Sequence, residues 1–391
     1  MNNLQRGVID IVYSALTAEK VTLPKDFDFY EGVKIARRHK IEVMFYYGAL
    51  NYGFRQNEPL MQELFMLTCG NIALSEQQLY SIKEIFSAFD EKEIDYLPLK
   101  GTVLKGLYPK SEMRSMSDAD ILIKTEQYDK FKPIMLNLGY TEVTESDHEL
   151  IWNKQNIHIE FHKRLIPSYN KDYYAYYGDG WQLAKIKNGT RYSMTDEDQM
   201  IYLFTHFAKH YRDAGIGIKH MTDLWVYRKS KPQLDEKYIK KELAALQLYD
   251  FYINITNTLS VWFEGKESDE KTDFITDIIF NSGVYGTSEA HILSEAVKIS
   301  KSTKSAKSVK SKKYINLLFP SYKKMCKKFF FLSKAPFLLP IMWIYRIIFG
   351  AAVKREDIKT MINTVEQMKA EDVNCYQDAL NFVGLDFNFK E

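Results

Sequence analysis

Apolar residues recur every three or four positions through the first part of the chain, a spacing typical of amphipathic helices. The pattern predicts a first helix around residues 9–16 and a second over residues 30–52. A third, long helix is predicted from Pro59 to about residue 89, and proline suits the first turn of a helix. We therefore expect an N-terminal helical region over residues 1–92.

The pattern changes at Ile94, where short apolar runs replace the helical spacing. Such runs, bounded by turn residues, are typical of buried strands. The predicted strands cover residues 94–99, 121–123, 140–144, 149–154 and 156–162, with a helix over 125–139 between the second and the third. This alternation predicts an α/β core over residues 93–194.

Helical spacing returns at Thr195, whose side chain suits the N-cap of the helix that follows. Two acidic residues fall in the first turn of that helix, where the helix dipole favours negative charge. A helical domain is thus predicted over residues 195–299. A basic Lys- and Ser-rich segment follows over 300–334, and an apolar and helical C-terminal region over 335–391.

Charge is distributed unevenly along the chain. The 391 residues include 53 basic and 51 acidic side chains, a net charge of +2. Twelve lysines and no Asp or Glu lie within residues 298–334, which leaves 41 basic against 51 acidic residues elsewhere. We therefore expect an acidic body with one basic stretch. That stretch offers local, salt-sensitive contact to an anionic acceptor or an anionic surface, unless it is only a solvated loop.

Residues 329–353 form an aromatic-rich apolar stretch beside the basic lysines. The longest uncharged run is eleven residues, from Ala335 to Tyr345, whereas a membrane-spanning helix needs about 20. Packed helices, peripheral membrane contact and a true span all stay open. The three cysteines lie far apart and the N-terminus lacks a signal-peptide pattern, so the sequence predicts a cytoplasmic chain, with peripheral membrane contact as the alternative.

Asp118 and Asp120 form a DxD pair that leads into the apolar run at residues 121–123. On a strand, residues i and i+2 point to the same side, about 7 Å apart. Carboxylates in this arrangement share hard cations such as Mg²⁺, and two cations can clamp the attacking and leaving oxygens of a phosphoryl transfer. A polar turn before a strand gives the same pattern, so the neighbouring residues decide between the two interpretations.

Lys100, Gly101 and Thr102 lie between a predicted strand and a short predicted helix. A glycine lets the backbone approach a phosphate, and the start of a helix offers free N–H groups. Arg114, four residues before the DxD pair, could bind phosphate oxygens through two parallel hydrogen bonds. A plain turn and a surface charge are the alternatives for these residues.

Two further sets of polar residues follow the DxD pair. Glu160 and His162 share one side of an alternating strand, which offers a third carboxylate but also fits an ordinary solvent-facing strand. His206 and His210 lie four residues apart on a predicted helix and share a face. Zinc binding there would need more ligands, such as Asp223, and a pocket-lining or purely structural role is the alternative.

The order of these residues resembles the nucleotidyltransferase family often labelled uncharacterised, within the polymerase-β-like nucleotidyltransferase superfamily. The resemblance is carried by the segments LPLKGTVLKGLYPKSEMRSMSDADILI, IEFHKRL and IYLFTHFAKHYRDAGIGIKHMTDLWVY. It covers most of the chain and is most specific around the DxD pair. Thr102 stands where the superfamily usually has Ser or Gly, and Glu160 where many members have Asp.

The resemblance implies both a fold and an activity. The fold class is α+β, with a mixed-sheet nucleotidyltransferase core between N-terminal and C-terminal helical regions. The activity is transfer of a nucleoside monophosphate from an NTP to an acceptor, with release of pyrophosphate. Two Mg²⁺ or Mn²⁺ ions would be held by Asp118, Asp120 and Glu160.

The resemblance also implies roles for the other candidate residues. Those expected to bind the nucleotide are Lys100, Gly101, Thr102 and Arg114. Those expected in a substrate pocket are His162, His206, His210 and Asp223. The acceptor stays open among RNA, protein, sugar and other small molecules. Two other classes also stay open: a nucleotide-binding regulator or toxin–antitoxin-type partner without turnover, and a membrane-associated accessory protein.

Overall fold

The computed structural model shows a mixed β-sheet surrounded by helices. The described residues are 1–55, 58–146, 148–168, 170–284, 286–300, 320, 322, 325–326, 329–333, 335–353 and 370–386. The basic segment predicted over 300–334 therefore lies largely outside the described residues. The same holds for residues 354–369 of the C-terminal region.

Four helices precede the sheet: α1 (Asn3–Thr17), α2 (Phe29–Arg38), α3 (Glu42–Tyr52) and α4 (Pro59–Glu91). The single helix predicted over residues 30–52 is instead two helices, because Lys40 adopts a φ of +56°, outside the helical range. His39, beside the break, is buried, and its Nδ1 accepts a hydrogen bond of 3.1 Å from the backbone N–H of Ile218. This hydrogen bond links the end of α2 to the helix that begins at Ile218.

The sheet has seven strands among the described residues: β1 (Tyr96–Pro98), β2 (Ala119–Ile123), β3 (Thr141–Glu145), β4 (Glu149–Lys154), β5 (Ile157–His162), β6 (Lys185–Asn188) and β7 (Arg191–Ser193). Their order is β3-β4-β5-β2-β1-β7-β6. The β2–β5 and β1–β7 pairs are parallel and the other neighbours are antiparallel. The predicted α+β class with a mixed sheet is confirmed.

Short helices connect the strands: α5 (Lys100–Leu104), α6 (Tyr128–Asn137) and α7 (Lys171–Tyr177). The β6–β7 hairpin lay outside the predicted strands. It turns at Gly189-Thr190, and glycine at the first turn position favours tight hairpins because Gly adopts positive φ, here +57°. This hairpin extends the sheet beyond β1.

Helices return after the sheet: α8 (Asp196–Asp213), α9 (Ile218–Ser230), α10 (Glu236–Ala245), α11 (Tyr249–Phe263), α12 (Glu270–Ser282), α13 (Ser288–Ser300), α14 (Leu339–Val353) and α15 (Ala370–Phe382). The N-cap predicted at Thr195 is confirmed, since its Oγ1 accepts a hydrogen bond of 3.1 Å from the backbone N–H of Asp198. Among the described residues, no helix has the length and apolar character needed to cross a membrane.

Two apolar clusters hold these layers together. One unites α1–α3 with α8–α12, and Arg6 reinforces it by donating hydrogen bonds to the carbonyls of Val261 and Trp262. The other lies between the sheet and α4 and α6, where Phe89, Phe131 and Phe161 are fully buried. The N-terminal helices and the helices after the sheet therefore share one core. The candidate site lies where the sheet meets α8 and α9.

Candidate active site

The carboxylates predicted to act together lie on adjacent parallel strands. Asp120 on β2 is in direct register with Glu160 on β5, so both side chains lie on the same face of the sheet. Asp118 stands at the start of β2, and all three residues line one cavity of about 470 Å³. Parallel pairing of two strands far apart in sequence thus brings the predicted acidic residues together.

Asp120 is the most buried of these carboxylates, with a side chain 5% exposed. One oxygen, Oδ1, lies 2.7 Å from Lys100 Nζ and 2.7 Å from His162 Nε2. Burial alone would raise the pKa of Asp120, but the Lys100 charge and the His162 hydrogen bond outweigh it and hold the pKa well below its ordinary value. Asp120 is therefore an ionised carboxylate held in a fixed orientation.

Glu160 has the opposite electrostatic environment. Burial, together with the charges of Asp118 and Asp120, raises the pKa of Glu160 to about 8. Its side chain is 25% exposed and faces the cavity. Ligand atoms of Asp120, Glu160 and His162 all lie within 4.8 Å of one another. A divalent cation would relieve the repulsion among these carboxylates, so the group fits a metal ion bound mainly through oxygen.

The turn after β1 contributes one side chain to this cluster. Lys100 adopts a φ of +41°, a conformation that non-glycine residues rarely take and that functional sites often hold, and its ammonium reaches Asp120. Thr102 instead donates from its hydroxyl to the backbone carbonyl of Asp120 at 3.2 Å, and its side chain lines a separate cavity of about 360 Å³. Lys100 and Thr102 therefore face different cavities.

Gly101 and Arg114 pack directly against each other. A Cβ built on Gly101 would lie 2.6 Å from Arg114 Nη1, so a larger residue would push the guanidinium aside. Arg114 is itself held by Asp223, whose two carboxylate oxygens accept hydrogen bonds of 3.1 Å from Nε and 3.0 Å from Nη2. Tyr108 donates to the same carboxylate at 2.7 Å. Asp223, expected in the substrate pocket, therefore lines the cavity as the partner of Arg114.

The wall opposite the carboxylates comes from α8 and α9. His206 and His210 line the cavity with their ring centroids 4.4 Å apart, as their spacing predicts. Burial holds the pKa of His206 well below its ordinary value and lowers the pKa of His210 to about 3, so both imidazoles are neutral. Neutral imidazoles offer hydrogen bonds rather than charge to a bound molecule.

Five titratable residues of the cavity lay outside the predicted set: His148, Glu149, Lys209, Lys219 and His220. Glu149 begins β4, and His148 immediately precedes it. Lys219 and His220 stand at the start of α9 and Lys209 lies on α8, inside the segment that resembles the family. A titratable residue at the start of a strand or helix is the sequence signal that all but Lys209 carry.

A comparison with known protein families identifies the class of protein. Residues 25–264 match the model of a family described as uncharacterised nucleotidyltransferase. The chain belongs to this family. The predicted resemblance is thus confirmed, and the protein falls in a transferase class. The matched range of this nucleotidyltransferase includes the whole sheet, α8 and α9, and therefore every candidate residue.

Other similarities are sparse. No curated protein matches the chain. A solved structure with some likeness is the solution structure of the antibiotic-resistance factor ANT(2'')-Ia, which is 14% identical. The alignment covers 46% of this nucleotidyltransferase and 99% of that chain, with a TM-score of 0.32.

Proposed function

We propose that the protein transfers a nucleoside monophosphate from an NTP to an acceptor and releases pyrophosphate. The observation that carries this proposal is the register of Asp120 against Glu160 at a cavity that Asp118 also lines. Family membership supports nucleotidyl transfer in general. The reaction breaks the bond between the α- and β-phosphates, and the acceptor oxygen takes the place of pyrophosphate.

Asp118, Asp120 and Glu160 would hold two Mg²⁺ or Mn²⁺ ions. The donor set fits such ions, because three carboxylates line one cavity, and burial together with the charges of Asp118 and Asp120 raises the pKa of Glu160 to about 8. When bound, the ions polarise the phosphate oxygens and stabilise the attacking and leaving oxygens. Glu160 would ligate one ion or take the proton of the acceptor, for which a pKa near 8 is suited.

Positive side chains would offset the negative charge of the triphosphate. Lys100 lies against Asp120, and Arg114 lies across the same cavity. We assign the phosphate contacts to these two side chains and to the backbone of Gly101. Thr102, also expected to bind the nucleotide, instead donates its hydroxyl to the Asp120 carbonyl and its backbone N–H to the Leu99 carbonyl. The acceptor would bind against α8 and α9, where neutral imidazoles supply hydrogen bonds.

Label transfer tests the proposal directly. The purified protein is incubated with each α-labelled NTP, Mg²⁺ or Mn²⁺, and cell extract, and the label is followed into RNA, protein and small molecules. We expect label transfer with one of the two metals. The transfer rate should fall at least about 100-fold in Asp118→Ala or Asp120→Asn, because each change removes a proposed metal ligand. Asp129→Asn, on the exposed face of α6, is the matched control. Wild-type rates in Asp120→Asn would refute the site.

A further inference from the structure

A second group of possible ligands lies beside the proposed catalytic carboxylates. Glu149 begins β4 directly after His148, and antiparallel pairing sets Glu149 opposite His162 at the end of β5. One ligand atom from each of the three residues lies within 4.8 Å of the others. The imidazole centroids of His148 and His162 are 5.1 Å apart. The strand register therefore gathers two nitrogen donors and one carboxylate at a single point.

Both imidazoles have a buried nitrogen that needs a partner. The Nδ1 atoms of His148 and His162 are shielded from solvent and form no hydrogen bond among the described residues. A buried polar atom without a hydrogen-bond partner destabilises the fold, so two at one place call for an explanation. A metal ion accepting both lone pairs would satisfy them together.

The other nitrogen of His162 supports this interpretation. Nε2 lies 2.7 Å from Asp120 Oδ1, a carboxylate oxygen that also accepts a hydrogen bond from Lys100 Nζ. A His162 ring with one proton carries it on Nε2 to donate this bond, which leaves the lone pair on the orphaned Nδ1. Metal-bound histidines characteristically donate their second N–H to a carboxylate in this way.

Glu149 supplies the carboxylate of this group. Among the described residues, no lysine or arginine forms an ion pair with that carboxylate, and Glu149 lines the same cavity as His148 and His162. Asp118 and Asp120 line the cavity too, together with Lys100 and Lys209. A dication beside Glu149 would supply the counter-charge that no ion pair provides.

We propose that His148, Glu149 and His162 form a transition-metal site of the Zn²⁺ class, distinct from the carboxylate site for Mg²⁺. Two imidazoles and one carboxylate are a donor set suited to zinc and neighbouring metals, whereas Mg²⁺ takes oxygen ligands. Three protein ligands leave a position open for water or substrate. His162 links the two sites, so an ion bound here would fix the orientation of Asp120 through their shared hydrogen bond.

Metal titration of the full-length protein tests the proposal without relying on its activity. The protein is stripped with a chelator, loaded with ZnCl₂ or CoCl₂ and desalted, and metal content is measured by mass spectrometry. We expect one retained equivalent per chain and a visible Co²⁺ absorption typical of a four-coordinate site. Excess Mg²⁺ should not displace the ion, because it competes poorly for imidazole nitrogen.

Variants then assign the ligands. We expect His148→Gln and Glu149→Gln each to weaken Co²⁺ binding at least about 10-fold, while Asp118→Asn retains it. His158→Gln is the matched control, since His158 lies on β5 with its side chain exposed. Glu149→Gln preserves shape, and its urea midpoint shows whether the fold is intact. Failure to retain either metal, displacement by Mg²⁺, or unchanged binding in both ligand variants would overturn the proposal.

Discussion

The ion pair between Arg114 and Asp223 should be a major source of stability at the candidate site. Both side chains are 8% exposed, and Asp223 accepts two hydrogen bonds from Arg114 and one from Tyr108. Asp223→Ala would leave the guanidinium buried without its counter-charge and would leave the Tyr108 phenol with Thr222 Oγ1 alone, at 3.2 Å. Removing one partner of a buried pair costs about 3–5 kcal/mol, so we expect a loss of that size in the free energy of unfolding.

Urea unfolding, followed by tryptophan fluorescence and circular dichroism, measures this loss. The double variant Arg114→Met/Asp223→Leu should recover much of the stability, because no charge is then left buried. Its nucleotidyl transfer should stay low, since Arg114 is proposed to offset phosphate charge. Glu31→Ala, which breaks the exposed pair with Lys34, is the control and should leave the urea midpoint unchanged. A loss below about 1 kcal/mol in Asp223→Ala would refute this reasoning.

Three further changes have defined outcomes in the same unfolding assay. The pKa of Glu160 is about 8 in the folded protein against an ordinary value of 4.5, so the free energy of unfolding of the metal-free protein should fall as the pH rises between these values. Glu160→Gln should flatten this pH dependence. An unchanged slope in that variant would contradict the assignment. Gly101→Ala should cost about 1–3 kcal/mol, because its Cβ would lie 2.6 Å from Arg114 Nη1; an unchanged midpoint would show that the guanidinium moves freely. Lys219→Met should raise the urea midpoint at neutral pH. Burial lowers the pKa of Lys219 to about 8, which means that the charged amine destabilises the folded protein and that its removal relieves this cost. A lower midpoint would contradict this reasoning.

The sequence predicted most of the helices and the central strands, because their apolar spacing is strong. It missed the helix break at Lys40 for the same reason. Lys40 adopts a φ of +56° although lysine is not a residue that marks a turn. Tertiary packing imposes this break, where His39 bonds to the start of α9. The β6–β7 hairpin, by contrast, carried a readable turn signal at Gly189.

Some contacts of the candidate site could likewise be predicted from the sequence, and others could not. The DxD spacing and the position of Glu160 predicted neighbours that the parallel β2–β5 pairing does bring into register. The pairing of Arg114 with Asp223 spans 109 residues, and no local pattern encodes it. The direction of the Thr102 side chain depends on how α5 packs against β2. Residues at the ends of β4 and α9 enter the cavity only because of the tertiary arrangement.

The position of bond cleavage in the NTP tests the central claim most directly. Parallel reactions with α-labelled and γ-labelled NTP, Mg²⁺ and cell extract reveal which phosphate reaches the acceptor. Nucleotidyl transfer predicts the α label on the acceptor and the γ label in pyrophosphate, with both signals lost in Asp120→Asn. Two results would contradict the proposed function. One is the γ label on the acceptor, and the other is NTP binding without pyrophosphate release for every nucleobase tested.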